Sequence, residues 1–122
     1  MKRAVQRHLL LEVGSLLPRV ELVENYRHLQ SRTTGQALEL DIFLPQLKVG
    51  IEYNGEHHYH EIPFFGPLEV IQRRDREKQE LCQEIGVSLV TIPYWWDKQK
   101  ESLMATLWRE CPQVLHQAVQ QA

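Results

Sequence analysis

The chain has 122 residues, of which 43% are hydrophobic and 25% charged, and its formal net charge at pH 7 is −2. This length suits one domain with one core, and the composition excludes a disordered chain, which carries fewer large apolar residues. No apolar run approaches the roughly 20 residues that span a bilayer. The basic start, Met1-Lys2-Arg3, precedes an amphipathic stretch instead of a signal-peptide core. We therefore expect a single domain over residues 1–122, inside the cell (cytoplasm or nucleus), with no membrane partner.

The first part of the chain predicts one helix, one strand and one loop. From about residue 3 to 17, apolar residues recur three and four positions apart, and Pro18 ends the run, as in an amphipathic helix. Residues 20–26 form a short alternating stretch that is typical of an edge strand. Residues 31–36 are polar and contain Gly35, so we expect a loop there.

A β-hairpin is the clearest predicted element. The apolar residues of 38–44 alternate strictly with other residues, those of 49–53 alternate again, and 45–47 suit a tight turn. This period gives the first strand one wholly apolar face. That face is expected to carry Leu38, Leu40, Ile42 and Leu44.

The remaining residues predict a helix, a buried strand and two further helices. We expect a helix over 68–85 and a strongly apolar strand over 87–94. Helices are expected over 95–111 and 114–122. The order of elements predicts a mixed sheet flanked by helices, an α/β or α+β domain with extra C-terminal helices.

Two carboxylates come close together on the predicted hairpin. If the turn centres near Gln46, Asp41 lies opposite Glu52 and both side chains point the same way. Facing like charges destabilise a sheet, whereas a divalent cation between them reverses that effect, and oxygen ligands suit Mg²⁺. Two alternatives stay open: both carboxylates lie on a solvated face, or a register shift of one residue separates them.

Polar residues interrupt the apolar faces of two predicted helices. Glu12 follows Val5 and Leu9 at helical spacing, and Asp75 and Lys78 share a face of the second helix. Ionised groups are almost never buried without a partner, so both helices are expected to close over a polar site. Alternatively, Glu12 lies at the margin of its apolar stripe, and Asp75 with Lys78 forms an ion pair on a solvated face.

The irregular segment 55–67 is rich in histidine and aromatic residues. A zinc site needs several converging ligands, and no cysteine or second histidine pair lies at zinc-finger spacing. A single histidine beside a carboxylate pair suits proton transfer near neutral pH. Phe64 and Phe65 are expected either to pack at the rim or to stack on bases and wedge a duplex.

Basic residues and cysteines give weaker signals. Arg73, Arg74 and Arg76 form a cluster that can attract a polyanion even when the total charge is near zero, although a solvated helix face explains it equally well. Cys82 and Cys111 lie in helix-like stretches without zinc or redox spacing, which favours reduced structural thiols.

The stretch from Glu39 to Gly55, followed by His58, resembles the PD-(D/E)XK nuclease superfamily. It is most similar to the branch of very-short-patch-repair endonucleases and related phage homing endonucleases. The likeness continues through the second predicted helix and the segment 86–94, and it covers roughly residues 10–97. The resemblance implies a restriction-endonuclease-like core of helix, three-stranded meander, helix and fourth strand.

The resemblance also implies the main ligands and charges of a nuclease site. Asp41 takes the position of the metal-binding aspartate and Glu52 that of the second carboxylate. With the Tyr53 carbonyl they would hold Mg²⁺, for which Mn²⁺ is a substitute. Asn54 departs from the pattern, because many members carry the catalytic lysine there. Lys78 on the second helix is the natural replacement.

Further positions match the related homing endonucleases. Glu12 fits a glutamate of the first helix, His58 a histidine after the third strand, and Asp75 an aspartate of the following helix. The residues that would contact backbone phosphates are Arg73, Arg74 and Arg76.

We therefore expect a Mg²⁺-dependent endonuclease that acts on DNA rather than RNA. Asn54 motivates an alternative, a catalytically decayed nucleic-acid-binding module of the same fold. A third alternative, an interaction domain that binds no nucleic acid, is motivated by the aromatic residues and the negative net charge. A domain of this size leaves little room for sequence recognition, so specificity is expected from a homodimer, a partner or a neighbouring recognition domain.

Overall fold

A four-stranded mixed sheet forms the centre of the protein. The structure is a computed structural model that describes residues 2–32, 34–112 and 116. The strands lie in the order β1-β2-β3-β4, and β4 is parallel to β3 while the other neighbours are antiparallel. Their bounds are β1 Val23–Gln30, β2 Ala37–Leu44, β3 Val49–Asn54 and β4 Ser88–Pro93. This α+β architecture confirms the predicted mixed sheet, and the edge strand begins three residues later than predicted.

Three α-helices flank the sheet, and none of those in the described residues has the length and apolarity needed to cross a membrane. Two single-turn 3₁₀ helices, Glu56–His58 and Pro63–Phe65, lie between β3 and the second α-helix. The α-helices are α1 Lys2–Leu16, α2 Leu68–Glu84 and α3 Lys100–Glu110.

The last described helix begins later than predicted. The prediction of a helix over 95–111 is wrong for residues 95–99, because α3 begins only at Lys100. Trp96 is buried and its indole N–H donates to the Gln99 carbonyl and the Ser102 hydroxyl. Lys98 adopts a φ of +63°, which breaks a right-handed helix. The predicted helix over 114–122 falls outside the described residues, apart from His116.

The sheet is covered on both faces. On one face, the apolar sides of α1 and α3 pack on strand residues such as Ile51. On the other face, Cys82 of α2 packs with Leu40. Gly50 points to this second face, where a Cβ atom would lie 3.1 Å from the Leu40 side chain, while its neighbours Val49 and Ile51 belong to the first. The strand alternation thus separates two cores.

Strand β2 changes faces at Asp41. Leu38 and Leu40 pack on the α2 side, whereas Ile42 and Leu44 pack on the α1 side. The prediction that these four residues share one face is therefore wrong. The register of β1 against β2 also shifts nearby, between Tyr26 and Leu29 (an irregularity of the β-bulge type). Asp41 consequently lies where the regular strand is interrupted, between two buried apolar neighbours.

Candidate active site

Glu52 is a buried carboxylate on β3, with only 5% of its surface exposed. Its Oε1 accepts a hydrogen bond from Lys78 Nζ at 2.8 Å. The same ammonium group donates to the Glu39 carbonyl at 2.7 Å. Because a buried charge is stable only when it is paired, this contact explains how β3 tolerates a carboxylate there. It also fixes the ammonium group of α2 between β2 and β3.

Asp75 lies one helical turn before Lys78 and pairs with a histidine. Its Oδ2 is 2.8 Å from His58 Nδ1, and His58 sits in the first 3₁₀ turn. An ionised carboxylate only accepts hydrogen bonds, so Nδ1 carries the shared proton. The other ring nitrogen, Nε2, makes no hydrogen bond with any described residue. When the ring is neutral, Nε2 is therefore available to accept a proton.

These groups meet around one small depression. It has a volume of about 50 Å³ and is lined by Glu52, Asn54, Asp75, Lys78, Gln79, Leu89 and Thr91. A space of this size holds a water-sized group, since a single water needs roughly 10–15 Å³ of such volume. The parallel pairing of β3 with β4 places Thr91 beside Glu52. The structure thus brings together four of the residues singled out from the sequence, with His58 attached through Asp75.

Asn54 does not supply the charge that a lysine would. Its uncharged amide lines the depression together with Asp75, and Tyr59 lies near both residues. Burial raises the pKa of the Tyr59 phenol; the hydrogen bond with Asn54 opposes this effect and the charge of Asp75 adds to it. Tyr59 is therefore neutral at physiological pH, and the ammonium group at this site comes from Lys78.

Asp41 is also buried, at 2% exposure, but it faces a different depression. Its Oδ2 accepts the backbone N–H of Tyr53 at 2.7 Å, so the carboxylate lies beside the peptide that joins Glu52 to Tyr53. The paired residues of β2 and β3 end at Ile42 and Ile51, one step before these two acids. Asp41 borders an open space of about 570 Å³ on the α1 side, whereas Glu52 borders the space under α2.

A polar cluster beside Asp41 was not predicted from the sequence. The buried Gln6 of α1 donates through Nε2 to Asn25 Oδ1 at 2.9 Å and to Glu24 Oε2 at 3.1 Å. All three residues line the Asp41 depression. A signal was present, because Gln6 precedes Leu9 in the apolar stripe of α1 at a spacing of three.

Glu12 is not brought together with the other predicted site residues. Its Oε1 lies 3.9 Å from His8 Nε2, and its buried Oε2 makes no hydrogen bond in the described part of the chain. His8 in turn contacts the Trp96 ring and donates to the Lys98 carbonyl. These contacts lie between α1 and the segment before α3, so a role for Glu12 in the site stays a prediction.

The basic residues of α2 line an open groove of about 490 Å³. Arg73, Arg74 and Arg76 are exposed and form no ion pair with any described residue. Arg32, on the opposite wall, is instead paired with Glu84 at 2.6 Å. The three helix arginines therefore retain positive charge that an external anion can use.

The histidine-rich loop disperses its side chains. His57 stacks on Phe65, with ring centroids 4.0 Å apart, while His58 binds Asp75 and His60 lies near Tyr94. Within residues 2–32, 34–112 and 116, no three His, Cys, Asp or Glu side chains form a group that would hold a metal by themselves. A divalent cation here would therefore depend on fewer side chains, backbone oxygens and water.

Comparisons with known proteins identify viral relatives. Uncharacterized protein 033L of Invertebrate iridescent virus 3 is 40% identical over 70 residues, which are 54% of this chain and 36% of that protein. Uncharacterized protein 307L of Invertebrate iridescent virus 6 is 41% identical over 61 residues, which are 47% of this chain and 31% of that protein. Uncharacterized protein 094L of Frog virus 3 is 36% identical over 78 residues, which are 58% of this chain and 50% of that protein.

These similarities are partial. The chain spans between about a third and a half of the length of the curated relatives that it matches. No family model matches the chain, and no solved structure matches it. The comparisons therefore establish that related segments occur in longer viral proteins.

Proposed function

We propose that this chain is a nuclease that hydrolyses phosphodiester bonds of nucleic acid, with DNA as its substrate. The observation that carries the proposal is the convergence of Glu52, Lys78 and the His58–Asp75 pair from β3, α2 and the 3₁₀ turn. Hydrolysis of a phosphodiester needs a proton acceptor and positive charge beside the phosphate. The mixed sheet and its helices are compatible with the PD-(D/E)XK resemblance that first suggested this activity.

The oxygen donors beside the site fit Mg²⁺ or Mn²⁺. By the resemblance, Asp41 and Glu52, with the Tyr53 carbonyl, are the groups that would hold the cation; both acids adjoin the Glu52–Tyr53 peptide, although their side chains border different depressions in this structure. Mg²⁺ commonly takes one or two carboxylates and keeps several waters, so one of these carboxylates with a backbone oxygen and water would be sufficient. When bound, the cation polarises the phosphate and lowers the pKa of an attacking water.

The side chains of the chain supply proton transfer and charge. His58 Nε2 accepts the proton of the attacking water, and Asp75 holds the ring in the tautomer that leaves this nitrogen unprotonated. The water oxygen forms the new bond to phosphorus as the bond to the leaving sugar oxygen breaks. Lys78 places its ammonium group where negative charge develops on the phosphate.

The arginine groove would bind the flanking strand. Arg73, Arg74 and Arg76 lie on the same helix as Asp75 and Lys78, so phosphate contacts along α2 would bring a strand toward the small depression. Such contacts are independent of sequence and weaken as salt rises. A separate part of a longer protein, a partner or a second copy would then provide specificity.

Cleavage of DNA in the presence of Mg²⁺ tests the proposal. Glu52→Gln is expected to lower the rate by about 100-fold or more, since it removes a carboxylate that would hold the cation and that fixes the Lys78 ammonium group. Glu69→Gln is the matched control, because Glu69 is an exposed acid in the first turn of α2. Equal rates for the two variants would reject the assigned site, and no cleavage by the unaltered protein would reject the activity.

A second candidate function rests on Asn54. Because Asn54 carries no charge at the position where many members of the resembled superfamily carry the catalytic lysine, a nucleic-acid-binding module without hydrolysis is the alternative. It predicts salt-dependent binding of DNA with no turnover in Mg²⁺ or Mn²⁺. Reproducible turnover that is lost in Glu52→Gln would exclude it.

A further inference from the structure

An exposed aromatic cluster lies next to the proposed active site. Trp95 is 63% exposed, although a tryptophan side chain usually gains free energy by burial. Its ring centroid lies 4.8 Å from that of Tyr59 and 5.2 Å from that of Tyr94. These neighbours hold the indole in place while leaving much of its surface accessible.

The aromatic cluster adjoins the small depression that contains Glu52. Asn54 is in register with Pro93 across the parallel strands, so Tyr94 and Trp95 begin where β3 and β4 end. Tyr59 contacts Trp95, and Thr91 lines both the cleft beside Trp95 and the depression that contains Glu52. The aromatic surface and the depression therefore share an edge.

Trp95 and Tyr59 form one wall of a cleft of about 520 Å³. This volume is within the range of small-molecule sites, about 300–1,000 Å³. Asp97 and Thr106 add polar groups to the cleft. Hydrogen bonds from the Ser102 hydroxyl and the Gln99 backbone lower the pKa of Asp97, so its carboxylate is ionised at neutral pH.

The chemistry of the cleft distinguishes a base from a phosphate. A flat aromatic surface offers stacking to any base, and an ionised carboxylate accepts hydrogen bonds from exocyclic amino groups. The same carboxylate repels a phosphate. The cleft also contains one cationic side chain, Arg109, whose guanidinium is paired with Glu110, whereas the arginines without an ion pair to a described residue lie on α2.

We infer that the Trp95 cleft binds an unpaired nucleobase of the substrate strand, next to the phosphate that is cleaved. This inference rests on the proposed function and names its substrate class, single-stranded or locally unpaired nucleic acid. A base inside a duplex is already stacked and paired, and reaching an external aromatic surface would require it to leave the helix. The unaltered protein therefore binds a single strand more tightly than a duplex of equal length.

The test is a binding titration in EDTA, where the proposed cleavage does not proceed. The probes are a fluorescein-labelled oligodeoxycytidylate, whose bases carry an exocyclic amino group, and a labelled hairpin duplex with the same number of nucleotides. Trp95→Ala is expected to bind the single strand about 10-fold to 100-fold more weakly, as for loss of one base–aromatic stack. Trp95→Phe keeps an aromatic ring and is expected to retain most of the affinity.

Trp108→Ala is the matched control. Trp108 is also 63% exposed, but it lies on α3 in a depression that excludes Tyr59 and Trp95. Its removal is expected to leave single-strand affinity unchanged. Equal affinities for Trp95→Ala and Trp108→Ala would overturn the inference, as would tighter binding of the duplex by the unaltered protein.

The binding and cleavage assays separate the inference from the proposed activity. Single-strand binding that depends on Trp95, without any hydrolysis in Mg²⁺, would support the cleft and reject the nuclease. Hydrolysis that Glu52→Gln abolishes, with no effect of Trp95→Ala on binding, would support the nuclease and reject the cleft. Absence of binding to both probes would overturn the inference directly.

Discussion

At the scale of single residues, Lys78 ties three elements of the fold together. It belongs to α2, its ammonium group binds the Glu52 carboxylate of β3, and it also donates to the Glu39 carbonyl of β2. Because Glu52 is buried, the ammonium ion has a structural role as well as the proposed catalytic one. The two roles make different predictions about stability.

Replacement of Lys78 by methionine is expected to destabilise the fold. Lys78→Met removes the Lys78 ammonium group from the buried Glu52 carboxylate, and loss of one partner of such a pair lowers the free energy of unfolding by roughly 3 kcal/mol. Denaturant titration measures this change. The double variant Lys78→Met/Glu52→Gln is expected to regain much of the stability but no cleavage activity. Unchanged stability of Lys78→Met would contradict a structural ion pair.

The His58–Asp75 pair makes a kinetic prediction. His58→Ala is expected to slow cleavage by about 100-fold to 10,000-fold, the usual contribution of general acid–base catalysis. Asp75→Asn is expected to slow it less and to change the pH–rate profile, because the amide no longer fixes the ring tautomer. His60→Ala, in the same loop but directed toward Tyr94, serves as the control. A His60→Ala defect as large as that of His58→Ala would argue against this assignment.

At the scale of elements, α2 combines two different surfaces. One carries Asp75 and Lys78 against the sheet, and the other carries the exposed arginines of the groove. A helix has both surfaces because residues one or two positions apart point in different directions. This arrangement would let one element bind the strand and supply catalytic charge.

The salt dependence of DNA binding tests the arginine surface. Replacing Arg73, Arg74 and Arg76 together by glutamine is expected to reduce the slope of log affinity against log salt by about 2, since each single-strand phosphate contact contributes roughly 0.7. Arg19→Gln, at an exposed position after α1, is the control. An unchanged slope in the triple variant would show that these arginines do not contact phosphates.

The elements themselves were largely predictable, for identifiable reasons. Strict alternation over 38–44 and 49–53 predicted the hairpin, and helical spacing predicted α1 and α2. The face change at Asp41 was not predictable, because the residues before and after it are equally apolar and keep the same alternation. The late start of α3 depends on the tertiary burial of Trp96, which a local pattern does not show.

The site was predicted in part for similar reasons. Asp75 and Lys78 were found because charges at helical spacing beside an apolar face are unusual. Gln6 and Glu24 were missed, since their hydrogen bond joins α1 to β1 across 18 residues. Asp41 lies beside the Glu52–Tyr53 peptide and does not face the Glu52 depression directly. This placement also depends on tertiary structure.

At the scale of the whole molecule, charge is distributed unevenly. The net charge is −2, yet three exposed arginines on α2 have no acidic partner among the described residues, and a cation–carboxylate pair lies beside them. A local positive surface is sufficient to attract a polyanion in a chain that is acidic overall. The related viral proteins are about two to three times as long as the segments that match this chain.

The most direct test is endonucleolytic cleavage of circular single-stranded DNA in Mg²⁺. A circle has no ends, so only an internal cut converts it to a linear strand, and Trp95 would contact an unpaired base beside that cut. We predict linearisation by the unaltered protein and by Glu69→Gln, and intact circles with Glu52→Gln. Circles that stay intact with the unaltered protein, or that Glu52→Gln cleaves at the same rate, would contradict the proposed active site.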